Sequence, residues 1–181
     1  MTGMESSMAP NLPVKGQVHV NIPFRMLFDG YLEEFLDNRL NPEIGIDAAC
    51  LDAYPMAVFA SVAERFTAAG LAVTLHGPFM DLSAGSPDTL VRQATRRRLE
   101  QVLALVPVFG ARTLVCHPGY ERRRFAYFRD AWLSASLEMW RWAAHSAAAH
   151  GCRLMLENVY EERPEEIGEL LDGLAPAQAG F

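Results

Sequence analysis

Apolar residues in this chain follow two alternating rhythms. Short continuous runs, such as Leu71-Ala-Val-Thr-Leu75, Thr113-Leu-Val-Cys116 and Leu154-Met-Leu156, are separated by longer stretches with apolar positions every three or four residues. The first rhythm predicts buried strands and the second amphipathic helices. Strands are predicted at 17–22 (closed by Pro23), 43–46, 71–75, 112–116 and 152–156. Helices are predicted at 26–40, with Leu27, Tyr31 and Phe35 on one face, and at 56–69, 130–150 and 164–174. A further helix is expected to open at Ser86-Pro87-Asp88, with Ser86 as N-cap and Pro87 at its first position, and to run to about 109. Gly70, Gly110 and Gly151 stand where helix stops are expected. Continuously apolar strands belong to parallel sheets covered on both faces. Strict strand–helix alternation with no hairpin signal makes the fold α/β. An open doubly wound sheet and a (β/α) barrel both satisfy this pattern. No GxGxxG run follows the first strand, so a dinucleotide-binding fold has no support.

The polar residues carry a second register. His76, His117 and Glu157 each fall at the end of a predicted strand, 41 and 40 residues apart, one β/α repeat each. The three are therefore expected at one level of adjacent strands, at the C-terminal ends where β/α barrels assemble catalysis. A single His after a strand is more often a structural hydrogen-bonder than a ligand. Two imidazoles and a carboxylate in register instead make a site for a divalent ion, zinc or manganese first, magnesium or cobalt next. Asp47 ends the second predicted strand and Asn21 lies near the end of the first. They are candidates for substrate contacts, with helix capping or loop hydrogen bonding the plainer role. Arg122 and Arg124, with Tyr120, Phe125 and Tyr127, fall in the loop after the fourth strand. There they would hold a phosphate or stack on a sugar, unless the segment is simply a solvated loop. His19 is expected inside the barrel or in packing. His145 and His150, at a helix C-terminus, are expected to be structural.

Composition narrows the class. Of 181 residues, 50% are hydrophobic and 21% charged, enough for a packed core in one domain. A net charge of −6 disfavours a protein whose affinity comes from phosphate-backbone contacts, so nucleic acid is not an expected partner. Three cysteines with no CxxC pair fit buried thiols in a reducing cytoplasm. The first residues carry neither a basic nor an apolar leader pattern, and no apolar run is long enough for a membrane span. Residues 1–15 are expected to form a frayed tail, and 16–181 the folded domain.

Three segments carry a resemblance. Leu75-His-Gly-Pro-Phe79 with Asp81-Leu-Ser83, then Val115-Cys-His-Pro-Gly119, then Leu156-Glu-Asn158 are similar, in order and spacing, to motifs of the xylose-isomerase-like TIM-barrel superfamily. That superfamily includes sugar-phosphate isomerases and epimerases and the endonuclease-IV-like AP endonuclease family 2. The resemblance implies a barrel with about five of its eight β/α units in this chain, since a whole barrel takes roughly 250 residues. It makes Glu157 a metal ligand and catalytic group, His76 and His117 ligands or site-lining groups, and Asn158 a substrate contact. One branch implies an isomerase or epimerase of a small carbohydrate. There a divalent ion chelates adjacent substrate oxygens and carboxylates move the proton beside the carbonyl. The other implies a zinc phosphodiesterase acting at abasic DNA sites. The later strands of the family supply an Asp, His and a final Glu that this sequence lacks. A second chain or a C-terminal half is thus expected to cover the open strand edges, and an inactive half-barrel assembly module is a third reading.

Overall fold

The computed structural model describes residues 18–181, so the expected tail at 1–15 and Gln17 lie outside the described residues. Six strands form a sheet in the order β1-β2-β3-β4-β5-β6, every neighbouring pair parallel. They are β1 (His19–Pro23), β2 (Asn41–Gly45), β3 (Thr74–His76), β4 (Thr113–Cys116), β5 (Arg153–Leu156) and β6 (Ala179–Gly180). A strictly sequential order decides between the two architectures left open by the strand–helix pattern, in favour of the barrel that the resemblance implies. Right-handed crossovers that always step the same way place every helix on one face, whereas a doubly wound sheet must reverse its order. This is the winding of a barrel.

Strand burial agrees. Ile22, Ile44, Leu75, Leu114, Leu154, Leu156 and Ala179 share one face through the pairing register, and all are buried against the helices. Burying each leucine here is worth about 2 kcal/mol. On the other face lie His19, Asn21, Glu43, Thr74, Thr113 and Met155, half-buried or exposed. The expectation of strands covered on both faces is therefore corrected. Among the described residues only the helical face is sealed, because the inward face of a barrel is filled by strands from its far wall.

The helices show where local pattern and packing part. The first begins without a loop, as α1 (Phe24–Met26) directly after Pro23, and continues as a π-helical turn (Leu27–Tyr31) and α2 (Leu32–Asp37). The wide turn shifts the helical phase. Leu27 and Phe35 stay buried, but Tyr31, expected on the same face, is 45% exposed. A short helix that the pattern did not announce, α3 (Ala48–Ala53), is capped by Asp47, whose carboxylate accepts from the Cys50 amide at 2.6 Å. Next come α4 (Met56–Ala68) and α5 (Thr89–Phe109). The N-cap of α5 is Asp88, accepting from Leu90 N at 2.8 Å, and not Ser86. Ser86 Oγ instead accepts from Asp88 N at 3.2 Å in the turn before it, so Pro87 precedes the cap. The expected loop after β4 contains α6 (Arg122–Phe125) and a 3-10 turn (Ala126–Phe128) before α7 (Arg129–Ala148), and α8 (Pro164–Asp172) follows β5. Trp132, Met139 and Trp140 of α7 are core residues, as expected. Among the described residues no helix is long and apolar enough to cross a membrane.

Candidate metal centre

The register places the three polar residues together. Cys116 pairs with Leu156, so His117 and Glu157 are the first residues past neighbouring strand ends, and Glu157 N donates to Cys116 O at 2.9 Å. His76 pairs with Val115, which puts it on the inward face with His117, two residues further along. One ligand atom from each of His76, His117 and Glu157 lies within 4.8 Å of the others. His76 Nε2 is 3.8 Å from Glu157 Oε2.

Hydrogen bonding orients both rings. His76 Nδ1 meets the Gly77 carbonyl at 3.0 Å, and His117 Nδ1 meets the Glu157 carbonyl at 2.8 Å. A carbonyl only accepts, so Nδ1 is the donor in each ring and Nε2 is the nitrogen left to coordinate. Phe79 stands edge-on to both imidazoles, its ring 5.8 Å from His76 and 4.9 Å from His117. Gly77 permits this close approach of β3 and β4, since a Cβ there would lie 2.9 Å from Cys116 Sγ. Two aligned imidazole nitrogens and a carboxylate are a donor set that fits a borderline divalent ion such as zinc.

Beside the trio opens a cavity of about 400 Å³ whose walls include Asn21, Asp47, His76, Phe79, Met80 and His117. Asn21 Nδ2 donates to Glu43 Oε1 at 2.8 Å, which turns its carbonyl oxygen away from that carboxylate. Asp47 takes the plainer role weighed for it, capping α3, and the residue also lines the cavity.

Other expected site residues lie elsewhere. Arg122 and Arg124 sit on α6 and do not line this cavity; Arg124 lies 3.8 Å from Glu121 and over the Phe125 ring. Tyr120 and Phe125, expected to face a ligand, are buried and pack on Trp132, at 4.8 and 6.4 Å between ring centres. Asn158 borders a second cavity with Glu161, Ile167 and Phe181. His19, on the inward face, meets the Pro42 carbonyl at 3.1 Å and Thr74 Oγ1 at 3.3 Å. Burial pushes the thiols up, Cys50 and Cys116 to about 12 and Cys152 to about 11, so they remain neutral.

Sequence reasoning missed Glu161. It is 5% exposed and accepts from the backbone of Tyr120 at 2.8 Å, Val159 at 3.0 Å and Tyr160 at 3.2 Å. No periodicity marks a carboxylate whose partners are backbone amides, one of them 41 residues away.

Comparison with known proteins is consistent with this architecture. The sequence model of one family, described as "Xylose isomerase-like TIM barrel", matches residues 41–181. None of the curated proteins matches the sequence. Among solved structures, the TTHB071 protein from Thermus thermophilus, in a crystal soaked with ZnCl2, is similar at 29% identity and a TM-score of 0.77 over 90% of this chain. A D-tagatose 3-epimerase-like protein (17% identity, TM-score 0.71, 89% of this chain) and a D-psicose 3-epimerase in the presence of D-fructose (16%, 0.65, 88%) share the fold. This chain spans 64%, 62% and 61% of the lengths of those three chains.

Proposed function

Because this chain belongs to the xylose isomerase-like TIM-barrel family, we propose that it contributes part of a divalent-metal centre to an isomerase or epimerase of a small carbohydrate. The observation that carries the reading is the convergence of His76, His117 and Glu157 with both Nδ1 atoms already engaged. His76 Nε2, His117 Nε2 and the Glu157 carboxylate would hold the ion. When bound, it supplies Lewis-acid polarisation of a substrate carbonyl. The chain's own residues do the rest. Asn21 and Asp47 would offer polar contacts to hydroxyls, and Phe79 and Met80 add apolar surface to the same cavity. Glu157, 59% exposed on its side chain and so open to a substrate, would take or return the proton. An acid/base partner and further ligands would come from strands that complete the barrel, in a second chain or a C-terminal half.

The test is titration of Zn²⁺ and Mn²⁺ into the chain and its Glu157→Gln and His117→Ala variants. It is paired with solvent-deuterium incorporation into ketohexoses by the completed barrel. Glu157→Gln should weaken metal binding by at least the 10–100-fold cost of losing an orienting partner, and abolish exchange with the fold intact. Undiminished exchange sinks the mechanism. A second reading, a zinc phosphodiesterase at abasic DNA sites, is favoured by the two imidazoles in the donor set. Salt-dependent nicking of an abasic duplex without sugar exchange would select it.

A further inference from the structure

Glu161 is a buried carboxylate with no part in the chemistry above. Burying an ionised carboxylate is costly unless hydrogen bonds compensate it. Here the compensation comes from backbone amides, and their distribution is specific. Oε1 accepts from Tyr120 N at 2.8 Å, three residues after His117. Oε2 accepts from Val159 N at 3.0 Å and Tyr160 N at 3.2 Å, two and three residues after Glu157. One carboxylate therefore ties the loop that leaves His117 to the loop that leaves Glu157. A second tie between the same loops is His117 Nδ1 to the Glu157 carbonyl at 2.8 Å. Both strands end immediately before these residues, at Cys116 and Leu156, so beyond Glu157 N the sheet ladder gives the loops no further register.

We infer that Glu161 is a positioning residue, whose carboxylate clamps the β4 and β5 loops and so fixes the separation of His117 and Glu157. The inference rests on the metal-centre reading. A glutamine of the same size cannot replace it. One end of its amide accepts, but the other carries an NH2 that would face an amide N–H, so one loop is released. An aspartate keeps the charge but is one methylene too short to span both loops.

The experiment is zinc titration of the 181-residue chain as wild type, Glu161→Gln, Glu161→Asp and Glu165→Gln, the last an exposed acid on α8. Hydrogen exchange is followed at the amides of Tyr120, Val159 and Tyr160. Glu161→Gln should bind zinc roughly 10–100-fold more weakly at unchanged far-UV dichroism. Glu161→Asp should fail to restore affinity, and Glu165→Gln should bind as wild type. Recovery in Glu161→Asp would show that charge alone acts and overturn the clamp. So would equal affinity in Glu161→Gln. A wild type that binds no zinc removes the metal centre itself and the clamp's purpose with it. If Glu161→Gln does not fold, the wild type decides. The clamp requires slow exchange at all three amides, slowed further together by zinc, and exchange at open-loop rates overturns it.

Discussion

Asp47 stands where a helix cap and a cavity wall meet. Its Oδ1 accepts from Cys50 N at 2.6 Å and so starts α3, while the residue lines the cavity beside His76. Capping needs only an acceptor, but a contact to a substrate hydroxyl or a nearby cation draws on the charge. Two substitutions separate these. Asp47→Ala should lower stability by about 1 kcal/mol in a denaturant titration, and Asp47→Asn by no more than a few tenths. Loss of carbohydrate or metal affinity in Asp47→Asn at unchanged stability would assign the charge to the site. The same scale explains the poise of the imidazoles. Their protons are held by the carbonyls of Gly77 and Glu157, so the rings present lone pairs without having to reorient.

At the scale of elements, the segment between β3 and α5 carries Phe79 to the imidazoles and is itself moulded onto α7. Gly85 is buried there, and a Cβ on it would overlap the Trp132 indole and Ser136 Oγ. Gly85→Ala is expected to cost about 1–3 kcal/mol through this overpacking, and to loosen Phe79 with it. Thermal melting checks the first part, and weaker zinc binding the second. An unchanged melting temperature would mean that the segment slides freely over α7. Salt links hold other elements in place. Arg98 binds Asp52 with two hydrogen bonds of 2.7 and 2.8 Å, joining α5 to α3. The Arg98 guanidinium holds the Asp52 carboxyl below the usual carboxylate range, although the exposure of Asp52 leaves the pair well screened.

Across the whole molecule, the described residues form a one-sided sheet. The outer edges of β1 and β6 meet no further strand among them, and Val18 and Val20 stand 47% and 39% exposed at the β1 edge. Open parallel edges beside a half-covered inward face favour pairing with another polypeptide. The 20.1 kDa chain alone is therefore expected to run as a dimer or larger species in size-exclusion chromatography with light scattering. A clean monomer at micromolar concentration would contradict this. The inward face carries His19, Asn21, Glu43 and Thr74, a polar lining in contrast to the sealed apolar face against the helices.

The β/α alternation, the parallel sheet and the meeting of His76, His117 and Glu157 were legible in the sequence. Local periodicity and repeat spacing fix the strand ends and the face, but not the level: His76 pairs with Val115, so it sits two residues short of the level expected for it beside His117. The segment after β4 was less legible, because residues 122–128 carry no period that announces their short helical turns. Tyr120 and Phe125 turned inward to Trp132 once α7 offered a surface to bury them, while Tyr127 stayed exposed, and only packing could reveal that. The shift in helical phase at Leu27–Tyr31 and the cap of α5 by Asp88 were not read from the apolar pattern either. The barrel was implied by the resemblance of the three motif segments and is borne out by the strand order, whereas periodicity alone left an open sheet equally possible. The Glu161 clamp needed two loops brought together from 41 residues apart, because a carboxylate bound to backbone amides leaves no trace in the residue types of its partners.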